Sequence, residues 1–149
     1  MGSVNEGAVH GESLLFQRVQ GTSGGFNIKV AEATGTATAA TTFSIAVNVP
    51  SGAVILGTQM RVDTALTSSD GGTAWSAAFA TGSTAACATA VAIAKNSKSK
   101  LMFNPFAVTP ITSDVTTITV TADSVKTFAA GGVVRAIVYY MDFDAMVSL

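Results

Sequence analysis

Side chains that alternate between apolar and polar with a period of two run through most of this chain, and no other feature constrains the fold as tightly. Phe43, Ile45, Val47 and Val49 alternate with Ser44, Ala46 and Asn48. Ile118, Val120 and Ala122 alternate with Thr117, Thr119 and Thr121, and Phe26, Ile28 and Val30 with Asn27 and Lys29. Trp75, Ala77 and Phe79 repeat the pattern. An extended strand sends successive side chains to opposite faces, so each segment predicts a half-buried strand. The most regular stretch, 54–66, puts Leu56, Thr58, Met60, Val62 and Thr64 on one face. Gly57, Gln59, Arg61 and Asp63 form its wet face. Leu14-Leu15-Phe16-Gln17-Arg18-Val19 reads as a first strand and Leu101-Met102-Phe103 as a short one. In the last strand, 133–143, both faces are apolar in the middle. It is therefore expected to be central, or covered on both sides by a sheet and a neighbouring subunit.

Turn residues punctuate these segments. Gly21 to Gly25, Pro50-Ser51-Gly52, Ser68-Ser69-Asp70-Gly71-Gly72, Asn104-Pro105 and Gly131-Gly132 end or join strands, because Pro cannot donate to a ladder and Gly permits tight reversals. Residues 34–42 read as a small-residue connection and 95–100 as a polar loop. The stretch 82–94 is ambiguous: its alanines favour helix, its Thr, Val and Ile residues and Gly82 oppose it, and no cap is clear. About eight short strands without a convincing helix predict an all-β, antiparallel β-sandwich. A jelly roll of two four-stranded sheets suits that number, although another Greek-key sandwich has the same periodicity. Residues 1–12 are Gly-rich and aperiodic, so a flexible N-terminal arm is expected there, with the sandwich domain over 13–149.

Composition narrows the function. A length of 149 residues is one domain's worth. Charged residues are 11%, with 8 Lys+Arg against 9 Asp+Glu, a net charge of −1. That balance argues against a nucleic-acid partner bound by neutralising phosphates. It also leaves little repulsion between copies, so self-association is expected. No basic residue precedes an apolar run at the N-terminus and no stretch of about 18 apolar residues occurs. Synthesis in a cytoplasm, without a membrane partner, follows as an expectation.

An active site needs convergent titratable groups, and few are present. His10, between Val9 and Gly11, reads as a solvated arm residue rather than a base or ligand. Cys87 lies among alanines, with no nearby His or acid to activate it, and reads as buried filler. One His and one Cys cannot build a zinc site. Gly11-Glu12-Ser13-Leu14-Leu15 lacks the second glycine of a nucleophile elbow. The glycine pairs fit turns better than phosphate cradles. Asp142 and Asp144 share a strand face but lack the other ligands of a calcium loop. Trp75 reads as packing rather than a ligand-stacking ring. No catalytic residue, metal or cofactor is expected. Lys95, Lys98 and Lys100, with Asn96, Ser97 and Ser99 between them, form the one cationic cluster, a contact for an acidic surface or else a solvated loop tip.

Val49-Pro50-Ser51-Gly52-Ala53-Val54-Ile55-Leu56-Gly57 with Arg61-Val62-Asp63-Thr64-Ala65-Leu66 resembles segments of bacteriophage virion proteins. So does Ile118-Thr119-Val120-Thr121-Ala122 with Gly131-Gly132-Val133-Val134-Arg135-Ala136-Ile137-Val138-Tyr139-Tyr140. Small tail-fibre, head-fibre and capsid decoration (cement) proteins of tailed phages share this Thr/Ala/Gly-rich, low-charge style. The resemblance implies a non-enzymatic structural role, commonly as a trimer, and transfers no catalytic residues. A short chain with an arm and no repetitive shaft favours capsid cement on the outer head surface, partnered by itself and the major capsid protein. A small tail-fibre or head-fibre adhesin that binds a host receptor is the alternative. An arm that orders on binding must recover about 1–2 kcal/mol per fixed residue. Val4, Ala8 and Val9 are its small anchors, with Leu14, Leu15 and Phe16 at its base. The exposed backbone of such an arm can add a strand to a neighbour's sheet edge. With these, Lys95, Lys98, Lys100 and Tyr139 complete the candidate contacts.

Overall fold

The computed structural model describes residues 27–80, 86–103, 115–124 and 126–142. Eight strands follow in order: β1 (Asn27–Thr36), β2 (Thr42–Asn48), β3 (Val54–Thr64), β4 (Ala74–Phe79), β5 (Ala86–Ala92), β6 (Met102–Phe103), β7 (Val115–Ala122) and β8 (Val133–Asp142). No helix occurs among the described residues. Two four-stranded sheets form, ordered β1-β8-β3-β6 and β2-β7-β4-β5. Every pairing is antiparallel. This order, in which each sheet takes strands from both ends of the chain, is a jelly roll. The last strand is central, as its two apolar faces require, with β1 on one side and β3 on the other.

The core lies between the sheets. From one sheet come Phe43, Ile45 and Val47 of β2, Ile118 and Val120 of β7, and Trp75 of β4. From the other come Met60 and Val62 of β3 and Val134, Ala136 and Val138 of β8. Trp75 is fully buried, and its Nε1–H donates to the Ala92 carbonyl at 3.1 Å. Phe43 meets Phe128 edge to face, with centroids 5.3 Å apart. With so many alanines and valines inside, these few large rings hold the two sheets at their spacing. Gly131 (φ +107°) reverses the chain before β8. At the next residue, Gly132, a Cβ would stand 2.8 Å from Leu66 Cα, so only glycine lets these two backbones meet.

Several expectations are revised. The ambiguous stretch holds a strand, β5, which pairs antiparallel with β4 and buries Cys87, Ala88 and Val91 against the core, so tertiary packing overrides the helix preference of its alanines. The segment 14–19 lies outside the described residues; among those described, eight strands are present, β5 included. The connection 34–42 is shorter than expected, since β1 runs on to Thr36 and β2 begins at Thr42. The side of β1 that is buried also differs. Pairing with β8 sets Ala31 opposite Val138, Ala33 opposite Ala136 and Gly35 opposite Val134. The small residues therefore face the core, and Ile28 and Val30 face out, 62% and 53% exposed. Space explains the choice, since a Cβ on Gly35 would stand only 2.6 Å from Ile45 Cγ1. A bulkier inner face could not close against β2.

Candidate interaction surfaces

The outer face of the β1-β8-β3-β6 sheet is graded along its length. At one end Ile28 stands beside Met141. The next row runs Val30, Tyr139, Gly57, Phe103 across all four strands. Phe103 is 69% exposed, and Tyr139 and Met141 are half-buried. One row on, Glu32, Ile137 and Gln59 mix polar with apolar. Beyond them Arg135 and Arg61 face each other across the strands. A sheet face open to water ordinarily carries polar residues throughout, so the apolar end is the unusual one.

Asp63 organises the charged end. It accepts hydrogen bonds from Arg61 Nε at 2.7 Å and Arg135 Nε at 2.8 Å, and Arg135 Nη1 reaches Glu32 at 2.9 Å. The Arg61 bond, partly opposed by burial and reinforced by Arg135, holds the Asp63 carboxyl below its usual 3.8. At the far turn the Thr127 backbone N–H, helped by the Ser68 hydroxyl, does the same for Asp70. Folding lowers both values, so the unfolded chain takes up these protons more readily. Their stabilisation is complete well above pH 3.8 and is lost as pH falls through the lower native values. Thermal midpoints measured from pH 7 to 2 are expected to drop below about pH 4, and Asp63→Asn with Asp70→Asn should flatten that drop.

The expected polar loop 95–100 begins as a turn, with Asn96 at φ +68°, and then lies down along β3. The Asn96 and Ser99 N–H groups donate to the Val62 and Met60 carbonyls, and the Val62 N–H donates to the Ser97 carbonyl. The buried Ser99 hydroxyl accepts from the Met60 N–H at 2.8 Å. Residues 96–103 thus form the outermost run of this sheet, and Lys98 and Lys100 are presented from a fixed backbone. Gly57 is needed for its last part, because a Cβ there would stand 2.7 Å from the Met102 carbonyl oxygen. Gly57→Val is expected to release β6 and cost about 1–3 kcal/mol. Faster hydrogen exchange at Phe103 and a lower thermal midpoint would register it.

Facing this run across a cleft of about 590 Å³ is β5. A bulge at Ala90 (φ +48°) turns Thr89 and Ala90 toward the gap, where they oppose Ser97, Lys98 and Lys100. None of Lys95, Lys98 and Lys100 makes an ion pair with any described residue.

Of the candidate contacts, the structure brings Lys98 and Lys100 together at the cleft and places Tyr139 on the apolar end of the outer face, apart from them. Lys95 is exposed at the start of the turn. Val4, Val9, Leu14, Leu15 and Phe16 lie outside the described residues. The sequence reading missed Ile28, Val30 and Phe103 as surface groups; their apolar character pointed inward, and only strand register reveals the outward face. Among the described residues no group of three metal-ligating side chains occurs. Cys87 is buried as expected, and burial pushes its thiol up to about 12. It should react with a thiol-specific chromogenic reagent at pH 8 only once the protein is unfolded, which a labelling time course in and out of denaturant checks.

No family model matches this chain, and no curated relative matches it. One similar solved structure is that of a cyanophage Pam1 capsid asymmetric unit: 24% identical, covering 80% of this chain and 88% of that one, with a TM-score of 0.45. At that score the likeness carries no functional argument.

Proposed function

We propose that this chain is a non-enzymatic structural protein of a phage virion, a capsid cement protein that sits as homotrimers on the outer head surface and binds the major capsid protein. The observation that carries the reading is the apolar end of the outer sheet face. Ile28, Val30 and Phe103 stand more than half exposed there, beside Tyr139 and Met141. Left in water, such a face on a stiff antiparallel sheet invites association, and burial returns about 25 cal/mol per Å². It suits a permanent contact between copies. The resemblance of residues 43–66 and 115–143 to virion β-domains supplies the setting. Cement works by adding contacts between shell subunits, which asks for a rigid body with several interaction surfaces and no chemistry.

Mass spectrometry of purified virions with copy counting tests this. A copy number close to that of the major capsid protein is the expected result. A few trimers per particle, with binding of the purified protein to host cells, would overturn cement in favour of an adhesin. Absence from the particle would overturn both.

A further inference from the structure

Like charges set directly opposite one another on a sheet face are unfavourable. The charged end of the outer face nevertheless carries three cations in one row. Arg135 of β8 stands opposite Arg61 of β3, and Arg61 stands opposite Lys98 of the adjoining run. Backbone hydrogen bonds fix how close the second pair is. The Val62 N–H donates to the Ser97 carbonyl at 2.9 Å, and the Ser99 N–H donates to the Met60 carbonyl at 2.8 Å. These two bonds bracket Arg61 and Lys98 as a non-hydrogen-bonded antiparallel pair, the closer kind, with Cβ atoms about 4.5–5.5 Å apart. Met60, Val62 and Ser99 are buried, so alternation turns both cationic side chains outward.

The acids of this end answer only part of that charge. Asp63 accepts from Arg61 Nε and from Arg135 Nε, and Glu32 accepts from Arg135 Nη1. Arg61 meets Asp63 through Nε, and its Nη groups make no hydrogen bond with a described residue. Lys98 makes no ion pair with one. Arg61 and Lys98 border a recess of about 100 Å³, which Ile137 and Gln59 also line.

We propose that this recess binds a single carboxylate on a short apolar stem, the side chain of a glutamate or aspartate of a protein partner. The carboxylate sits between the Arg61 Nη groups and the Lys98 ammonium, where both offer charge-assisted hydrogen bonds. The stem lies against Ile137, and the Gln59 amide supplies a further donor. A doubly charged phosphate suits the place less well, because Asp63 already sets a carboxylate beside Arg61. The site is apart from the apolar end of the face, and needs neither the trimer nor the virion setting.

An NMR titration of the isotope-labelled full chain with the blocked tripeptide Gly-Glu-Gly, at constant ionic strength, tests it. The backbone amide of Lys98 and the side-chain amide of Gln59 are expected to shift saturably. Lys98→Gln should weaken the fitted affinity about tenfold, through loss of one charge-assisted contact. Lys95→Gln removes the same charge from the start of the turn and should change the affinity by less than about twofold, since a distant exposed charge is screened. Both variants replace exposed side chains, and an otherwise unchanged spectrum shows that they are folded. Shifts that never saturate, equal weakening in the two variants, or binding of Gly-Gln-Gly at the same strength overturns the proposal. So does tighter binding of inorganic phosphate than of the glutamate peptide, which would make this a phosphate site. No virion and no assembly enter the measurement, so its failure and that of the cement reading are distinguishable.

Discussion

Trp75→Ala is expected to lower stability by about 3–5 kcal/mol, the largest effect of any single core substitution in this chain. Trp75 is shut off from water, at 0% accessibility, in a core built largely from valine, alanine and isoleucine. Small neighbours on two facing sheets cannot collapse into so large a hole, because the ladders fix the backbone spacing. The lost hydrogen bond to the Ala92 carbonyl adds to the cost. For a domain of this size the thermal midpoint should fall by roughly 10–20 °C. Trp75→Phe keeps most of the volume and should cost about 1–2 kcal/mol. Circular dichroism melts of both variants decide the matter. A drop of less than a few degrees for the alanine variant would show that the sandwich does not depend on this ring.

Ile28→Asp combined with Val30→Asp is expected to turn the proposed trimer into monomers at micromolar concentration. Two carboxylates would replace two apolar side chains at the centre of the contact, where an unpaired charge is costly to desolvate. Association weakened by about 4 kcal/mol corresponds to roughly a thousandfold in the equilibrium constant. Both side chains stand more than half exposed in the single chain, so its own stability should barely change. Sedimentation velocity and a thermal melt separate the two effects. Thr34→Asp, exposed on the same strand at the charged end, serves as the control and should leave assembly intact. A parent protein that sediments as a monomer, or a double variant that still assembles, would falsify the assignment of this face.

The alternation in residues 43–49, 74–79 and 115–122 was enough to name strands and their inner sides, because each of those strands has one wet face and one dry one. The same holds for Arg61 and Asp63, whose charge can only sit on the wet side of β3. Burial of Cys87 was legible because its neighbours, Ala86 and Ala88, offer nothing with which to form a site, and that of Trp75 because it alternates in step with Ala77 and Phe79. Where the pattern was weak the reading stayed open. Within 82–94 alanine carries no strong preference that an edge pairing cannot override, and a bulge at Ala90 breaks the period.

Local periodicity and residue type were thus sufficient for the all-β class, most of the strands, the central place of β8 and the scarcity of catalytic groups. Which face of β1 looks outward, and which lysines share a cleft, depended on contacts between segments far apart in the chain. Ile28 and Val30 are as apolar as any core residue, and nothing local to them says otherwise. Their exposure follows from a register with β8 that turns Ala31, Ala33 and Gly35 toward the core, with Gly35 in the narrow space beside Phe43 and Ile45. Likewise Lys98 and Lys100 oppose Thr89 and Ala90 only because two sheet edges, distant in topology, end side by side. Pairing between strands is a long-range choice made by volume and backbone hydrogen bonds, and a one-residue shift in it reverses every side chain that follows.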